Sequence, residues 1–83
     1  MNITLWTWPD REHNDAVSAN MCDCDLREWK TRLAWSVEYL EASGLSVKVV
    51  TITVAEMLAE LERRGLANTP DNRALVAVKW GQK

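Results

Sequence analysis

His13, Cys22 and Cys24 are the residues of this chain whose types most readily do chemistry, and carboxylates stand around them at Asp10, Glu12, Asp15, Asp23 and Asp25. A histidine with two thiols suggests a metal site, or a nucleophile beside its base. Structural zinc asks for about four ligands, with cysteines usually about two to four residues apart. Cys22-Asp23-Cys24 leaves one residue between its thiols, no other cysteine exists, and His13 is the only histidine. The usual thiol–disulfide motif is C-x-x-C, which this spacing also misses. No residue stands out as the group that would orient His13 against a nucleophile, or as an oxyanion site. The carboxylates fall in loops and on polar helix faces, where nothing tunes them for acid–base work. The glycines stand alone at Gly44, Gly65 and Gly81, so no phosphate-cradling loop is present. The sequence therefore predicts no metal, no cofactor and no catalytic centre, with Cys22 and Cys24 as small side chains at a loop-to-helix junction.

The elements that position these residues follow from periodicity. Ile3 to Trp8 alternates as a strand, and Pro9 ends it because proline cannot donate to a ladder. Residues 9–24 are the least defined, with Ala16, Val17 and Met21 able to form a turn or two of helix under a loop. Asp25, or Asp23 before it, can cap a helix running to Ala42, and Gly44 stops it. Leu45 to Ile52 is a β-branched run with apolar residues on both faces, which reads as a central strand. Thr53 and Glu56 form a capping box for the next helix, whose stripe is Val54, Met57, Leu58 and Leu61. Gly65 ends it, with Leu66 folding back on Leu61. Asn68 to Asn72 reads as a turn into a last strand, Arg73 to Trp80. The expected order is strand, helix, strand, helix, strand. The fold class is α/β, with α+β also open: a two-layer sandwich of three strands with two helices on one face, forming a single domain over residues 1–83.

Composition narrows the function classes. The 83 residues carry a net charge of −2, which argues against a general nucleic-acid binder. The imbalance is local: residues 1–44 hold eight acids and four bases, and six of those acids lie between Asp10 and Glu28. Such a patch suits a basic partner. There are five tryptophans, one tyrosine and no phenylalanine, so most of the tryptophans are expected in the core. No charged start leads into a long apolar run, and no stretch approaches the roughly 20 apolar residues of a membrane span. The expected compartment is the cytoplasm.

The helix from Asp25 to Ala42 carries two aromatic residues where its core stripe does not need them. Leu26, Trp29, Leu33, Val37 and Leu40 cover about 80° of arc at about 100° per residue. Trp35 points about 180° from Leu26 and Tyr39 about 220°, among Arg27, Glu28, Thr31, Arg32 and Glu38. Two large aromatics among charges predict a partner surface, made of Trp35, Tyr39, Arg32, Glu28 and Glu38, with Arg32 offering a cation–π or ionic contact. The competing expectation is that residues 9–24 fold over the pair and bury it.

One further resemblance concerns residues 53–80. Glu62-Arg63-Arg64-Gly65-Leu66 followed by Asn72-Arg73-Ala74-Leu75-Val76-Ala77-Val78 resembles the recognition helix and wing of winged-helix repressors. That resemblance implies a DNA-binding regulator with a basic helix in the major groove. Against it, residues 66–73 are short for a first wing strand and the net charge is negative. The leading expectation is a non-enzymatic protein-binding module, acting on a protein partner or on a second copy of itself. Small acidic accessory inhibitors of phages and mobile elements, such as anti-CRISPR proteins, are commonly of this kind.

Overall fold

Two strands, β1 (Asn2–Thr7) and β2 (Ser46–Thr51), pair in parallel in a computed structural model that describes residues 2–82. Asn2 sits opposite Ser46 and Thr7 opposite Thr51, and one more backbone bond, Ile52 N–H to Thr7 O at 2.9 Å, extends the ladder. Parallel neighbours need a crossover, supplied by α1 (His13–Ser18) and α2 (Leu26–Ala42). α3 (Val54–Arg63) and α4 (Pro70–Gly81) follow β2.

Among the described residues the expected third strand is absent, and the sheet holds two strands rather than three. Residues 70–81 are helical because the stretch read as a turn is a helix start. Thr69 is the N-cap, its hydroxyl accepting from Asn72 N–H at 3.2 Å, and Pro70 occupies the first turn, where its missing N–H costs nothing. The apolar run that follows alternates like a strand, but its buried members are Arg73, Val76 and Ala77, with Trp80 partly buried, at helical spacing. Val78, placed with Val76 under the strand reading, is 42% exposed, whereas Val76 is fully buried.

The second correction is to the layers. Side chains alternate along a strand, so Thr7 and Lys48 belong to opposite faces of this sheet. Thr7 Oγ1 accepts from Trp29 Nε1 in α2 at 3.0 Å, and Lys48 Nζ donates to Gly81 O at the end of α4 at 2.6 Å. α2 and α4 therefore cover different faces, and β2 is apolar on both sides because helices lie on both, not because strands flank it. The main core gathers on the Lys48 face. Trp8, Val50 and Ile52 meet Ala16 and Met21, with Val54, Met57 and Leu61 of α3 and Val76 and Ala77 of α4.

Local rules written in the sequence set most of the helix ends. The capping box at α3 is complete, with Thr53 and Glu56 satisfying each other's backbone N–H groups. Glu12 Oε1 takes the N–H of Val54 at 2.8 Å, so the 3-10 turn at Asp10–Glu12 also helps cap α3. α3 ends as expected on Gly65 at φ +66°, with Leu66 N–H bonded to Leu61 O at 2.9 Å. α2 closes the same way, Leu45 returning to Leu40. α1 uses Asn20 at φ 60° as the left-handed residue, and Met21 N–H reaches Ala16 O at 2.9 Å. The turn or two of helix expected within residues 9–24 is α1, entered through the 3-10 turn, and a bent loop over residues 19–25 leads from it to α2.

Two sets of substitutions check this architecture by denaturant unfolding. Thr53→Ala removes one cap and should cost about 1 kcal/mol, whereas Leu61→Ala opens the core and should cost about 2–5 kcal/mol. Val76→Ala should cost about 2 kcal/mol or more, while Val78→Ala should stay within about 0.5 kcal/mol. Equal losses at Val76 and Val78 would restore the strand reading of residues 73–80.

Candidate functional site

His13 opens α1 directly after the Asp10–Glu12 turn, and this places its ring under the end of β1. The ring is buried, and both nitrogens have protein partners. Trp8 Nε1–H donates to Nδ1 at 3.2 Å, and Nε2 lies 2.7 Å from Cys24 O. An indole N–H can only donate and a carbonyl can only accept. Nδ1 must therefore be bare and Nε2 must carry the proton, which fixes a neutral tautomer. Neither nitrogen is left to take a proton from a thiol.

The cysteines face each other rather than His13. A bend at Asp23 and Cys24 brings Cys22 Sγ to 3.1 Å from Cys24 Sγ, and Cys24 N–H lies 3.4 Å from Cys22 Sγ. Both are free thiols. The hydrogen bond with Cys22, then desolvation, push the Cys24 thiol up to about 11. The Cys–His pairing that would activate a nucleophile is not assembled. Among the described residues, no three His, Cys, Asp or Glu side chains converge as a metal site.

Trp8 joins this cluster to the rest of the core. It stacks on Trp29 at 4.4 Å and meets Trp6 edge-on at 5.4 Å. Offset and edge-to-face contacts of this kind add to the area they bury. Trp29 thereby ties the first turns of α2 to the sheet. Asp25 caps the same helix, its Oδ1 accepting from Glu28 N–H at 2.8 Å.

The outer side of α2 carries the expected surface residues. Trp35 is 67% exposed and Tyr39 73% exposed, so residues 9–24 do not cover them. Glu28, Arg32, Trp35 and Tyr39 are spaced four, three and four apart and form one ridge within about 60° of arc. Arg32 Nη2 bonds Glu28 Oε1 at 2.9 Å, and Nη1 lies 3.7 Å from Asp23 Oδ1. The Glu28 carboxylate, with lesser help from Cys24 and Asp23, holds the Arg32 guanidinium above its ordinary value. Glu38 is exposed one residue before Tyr39, to the side of this ridge. The ridge is contiguous with the cysteine loop through Asp23 and Arg32.

The features behind the winged-helix resemblance come apart. The stretch that would form the wing is α4. Arg63 and Arg64 both turn onto Glu60 of the same helix, which neutralises part of their charge. Arg73, expected on a strand, is buried and donates to Asn68 Oδ1, while Asn68 Nδ2 donates to Ala19 O at 2.7 Å. Burial pushes its guanidinium down from the ordinary arginine value. This bridge between α4 and the end of α1 was hidden in the sequence. An arginine three and four residues before Val76 and Ala77 falls on the buried side only at helical spacing.

Comparison with protein-family models, with curated proteins and with solved structures finds no match to this chain. Among the described residues, no helix is long and apolar enough to cross a membrane.

The His13 assignment has a direct check. Nitrogen-15 NMR of the imidazole should show a bare Nδ1 and a protonated Nε2. His13→Ala leaves the Trp8 N–H without its acceptor inside the core and opens a void, for a loss of about 2–4 kcal/mol. The opposite tautomer, or a neutral effect of this substitution, would break the Trp8–His13–Cys24 chain.

Proposed function

We propose that this chain is a non-enzymatic module that binds another protein through the outer ridge of α2. The observation that carries this reading is the exposure of Trp35 and Tyr39 side by side on a helix that packs through its opposite side. Tryptophan, tyrosine and arginine are the residues most enriched at the energetic centres of interfaces. Their aromatic surface gains by leaving water, and Arg32 sits one turn before Trp35, where a partner's carboxylate or aromatic ring can reach it. The fitting partner has an apolar groove for the two rings. Basic groups at its rim would meet Asp23, Glu28 and Glu38. Occupying that groove is all the reading asks of the protein, which is the work of an accessory inhibitor or adaptor. The reading includes action in the cytoplasm, supported by two cysteines too closely spaced to be a disulfide framework for the fold.

The test is Trp35→Ala beside Leu75→Ala, a change at another exposed large apolar residue, on α4. Both variants should keep stability within about 0.5 kcal/mol in a thermal melt. Only Trp35→Ala should weaken capture of a partner, by about 2 kcal/mol or more. If the ridge joins two copies of the chain instead, Trp35→Ala alone should convert a dimer to a folded monomer on sizing. Unfolding by Trp35→Ala, or equal loss of binding in both variants, would remove the ridge as the interface.

A further inference from the structure

The loop between α1 and α2 holds an arrangement that the proposed binding role does not use. Cys22 and Cys24 are half-buried free thiols with sulfurs 3.1 Å apart, so closing them to the disulfide length of about 2.05 Å asks for a movement of about 1 Å. The backbone is already bent between them. Its flanks are fixed by Met21, which is buried, and by Cys24 O, which is bonded to His13. Cys22 also borders a shallow surface depression with Asn20, Asp23, Pro70 and Arg73. We propose that Cys22 and Cys24 form a thiol–disulfide exchange site whose substrate is a small-molecule disulfide, with Cys22 attacking first and Cys24 resolving.

The order follows from the hydrogen bonds. At rest the Cys22 S–H donates to Cys24 O at 3.4 Å; once that proton is lost to solvent, the charge on Cys22 Sγ lies beside that oxygen but meets two donors, Cys24 N–H and Cys24 Sγ–H. The Cys22 thiolate attacks one sulfur of the substrate, whose S–S bond breaks. One thiolate leaves and takes a proton from solvent, and Cys22 is held as a mixed disulfide. In the resting loop, Cys24 is kept protonated first by its hydrogen bond with Cys22, then by desolvation and by proximity to Cys22. Formation of the mixed disulfide removes the hydrogen bond and the charge of Cys22; desolvation stays, and so does Arg32, which favours the Cys24 thiolate. Cys24 then loses its proton and attacks Cys22 Sγ, displacing the second substrate thiolate. In sum, two protein thiols and one disulfide become one protein disulfide and two small thiols. The protein is oxidised by two electrons and the substrate reduced by two. The thiolate, rather than the thiol, is the attacking species in both steps.

The test uses the reduced full chain with oxidised glutathione, quenched by acid, alkylated and weighed intact. The expected product is lighter than the reduced chain by two hydrogen atoms, takes no alkyl group and returns to the dithiol with dithiothreitol. Cys24→Ser should instead accumulate one glutathione on Cys22, because nothing resolves it. The equilibrium constant against the glutathione couple should fall when the chain is unfolded in urea, since the fold brings the sulfurs together. A lasting glutathione adduct in the unsubstituted protein, a covalent dimer, no reaction, or equal closure in urea would each overturn the proposal. The unsubstituted chain gives these answers even if Cys24→Ser fails to fold.

Discussion

The indole N–H of Trp8 is a buried donor that must find an acceptor, and satisfying it ties three segments of the chain together. That acceptor is His13 Nδ1, which commits the other nitrogen of the ring to Cys24 O. One hydrogen-bond chain thus runs from the end of β1 through the start of α1 to the loop before α2. The Trp8 ring adds the stack on Trp29, so the same residue holds α2 from the other side. An unpaired buried N–H costs about 1–3 kcal/mol. In an 83-residue chain, where a core may supply only about 3–5 kcal/mol, that is a large share of the whole. The histidine that first suggests chemistry is spent on architecture.

How much of this was legible depends on whether the signal was local. The capping box at Thr53, the Asp25 cap and the Gly65–Leu66 ending depend on residues within one turn, and each was readable. The third strand failed because the run from Arg73 to Trp80 alternates and also repeats at three and four. Thr69-Pro70-Asp71-Asn72 is as good a helix start as a turn. Thr69 capping and Pro70 in the first turn favour the helix, and burial of Val76 with Ala77 completes it. The strand at β2 was read correctly, but its placing at the centre of a sheet failed for a different reason. Apolar residues on both sides of a strand show that both faces are covered, and say nothing about neighbours at its edges.

The site divides along the same line. Exposure of Trp35 and Tyr39 could be read from helical phase alone, since α2 had a complete inward stripe. The Cys22–Cys24 contact could not. Spacing patterns describe helix and turn geometries that occur often, and this loop reaches its contact by being pinned at Met21 and at His13. Neither restraint is visible without the fold. Arg73 was hidden by the wrong period.

α2 is the element on which these observations converge. It buries no residue fully, and its stripe is half-buried against one face of a narrow sheet. Its exposed ion pairs, Lys30 with Asp10 and Arg32 with Glu28, add little. Trp29, the Asp25 cap and the return of Leu45 to Leu40 add specific contacts to that half-buried stripe. The helix that presents the largest exposed aromatic surface is also the one the core secures least. A partner covering Trp35 and Tyr39 would favour the folded helix over its frayed forms, because whatever binds only the ordered state stabilises it by mass action. The ridge and the weak inward packing are then two sides of one arrangement. The apolar surface that would have secured α2 within the monomer is divided between its two faces.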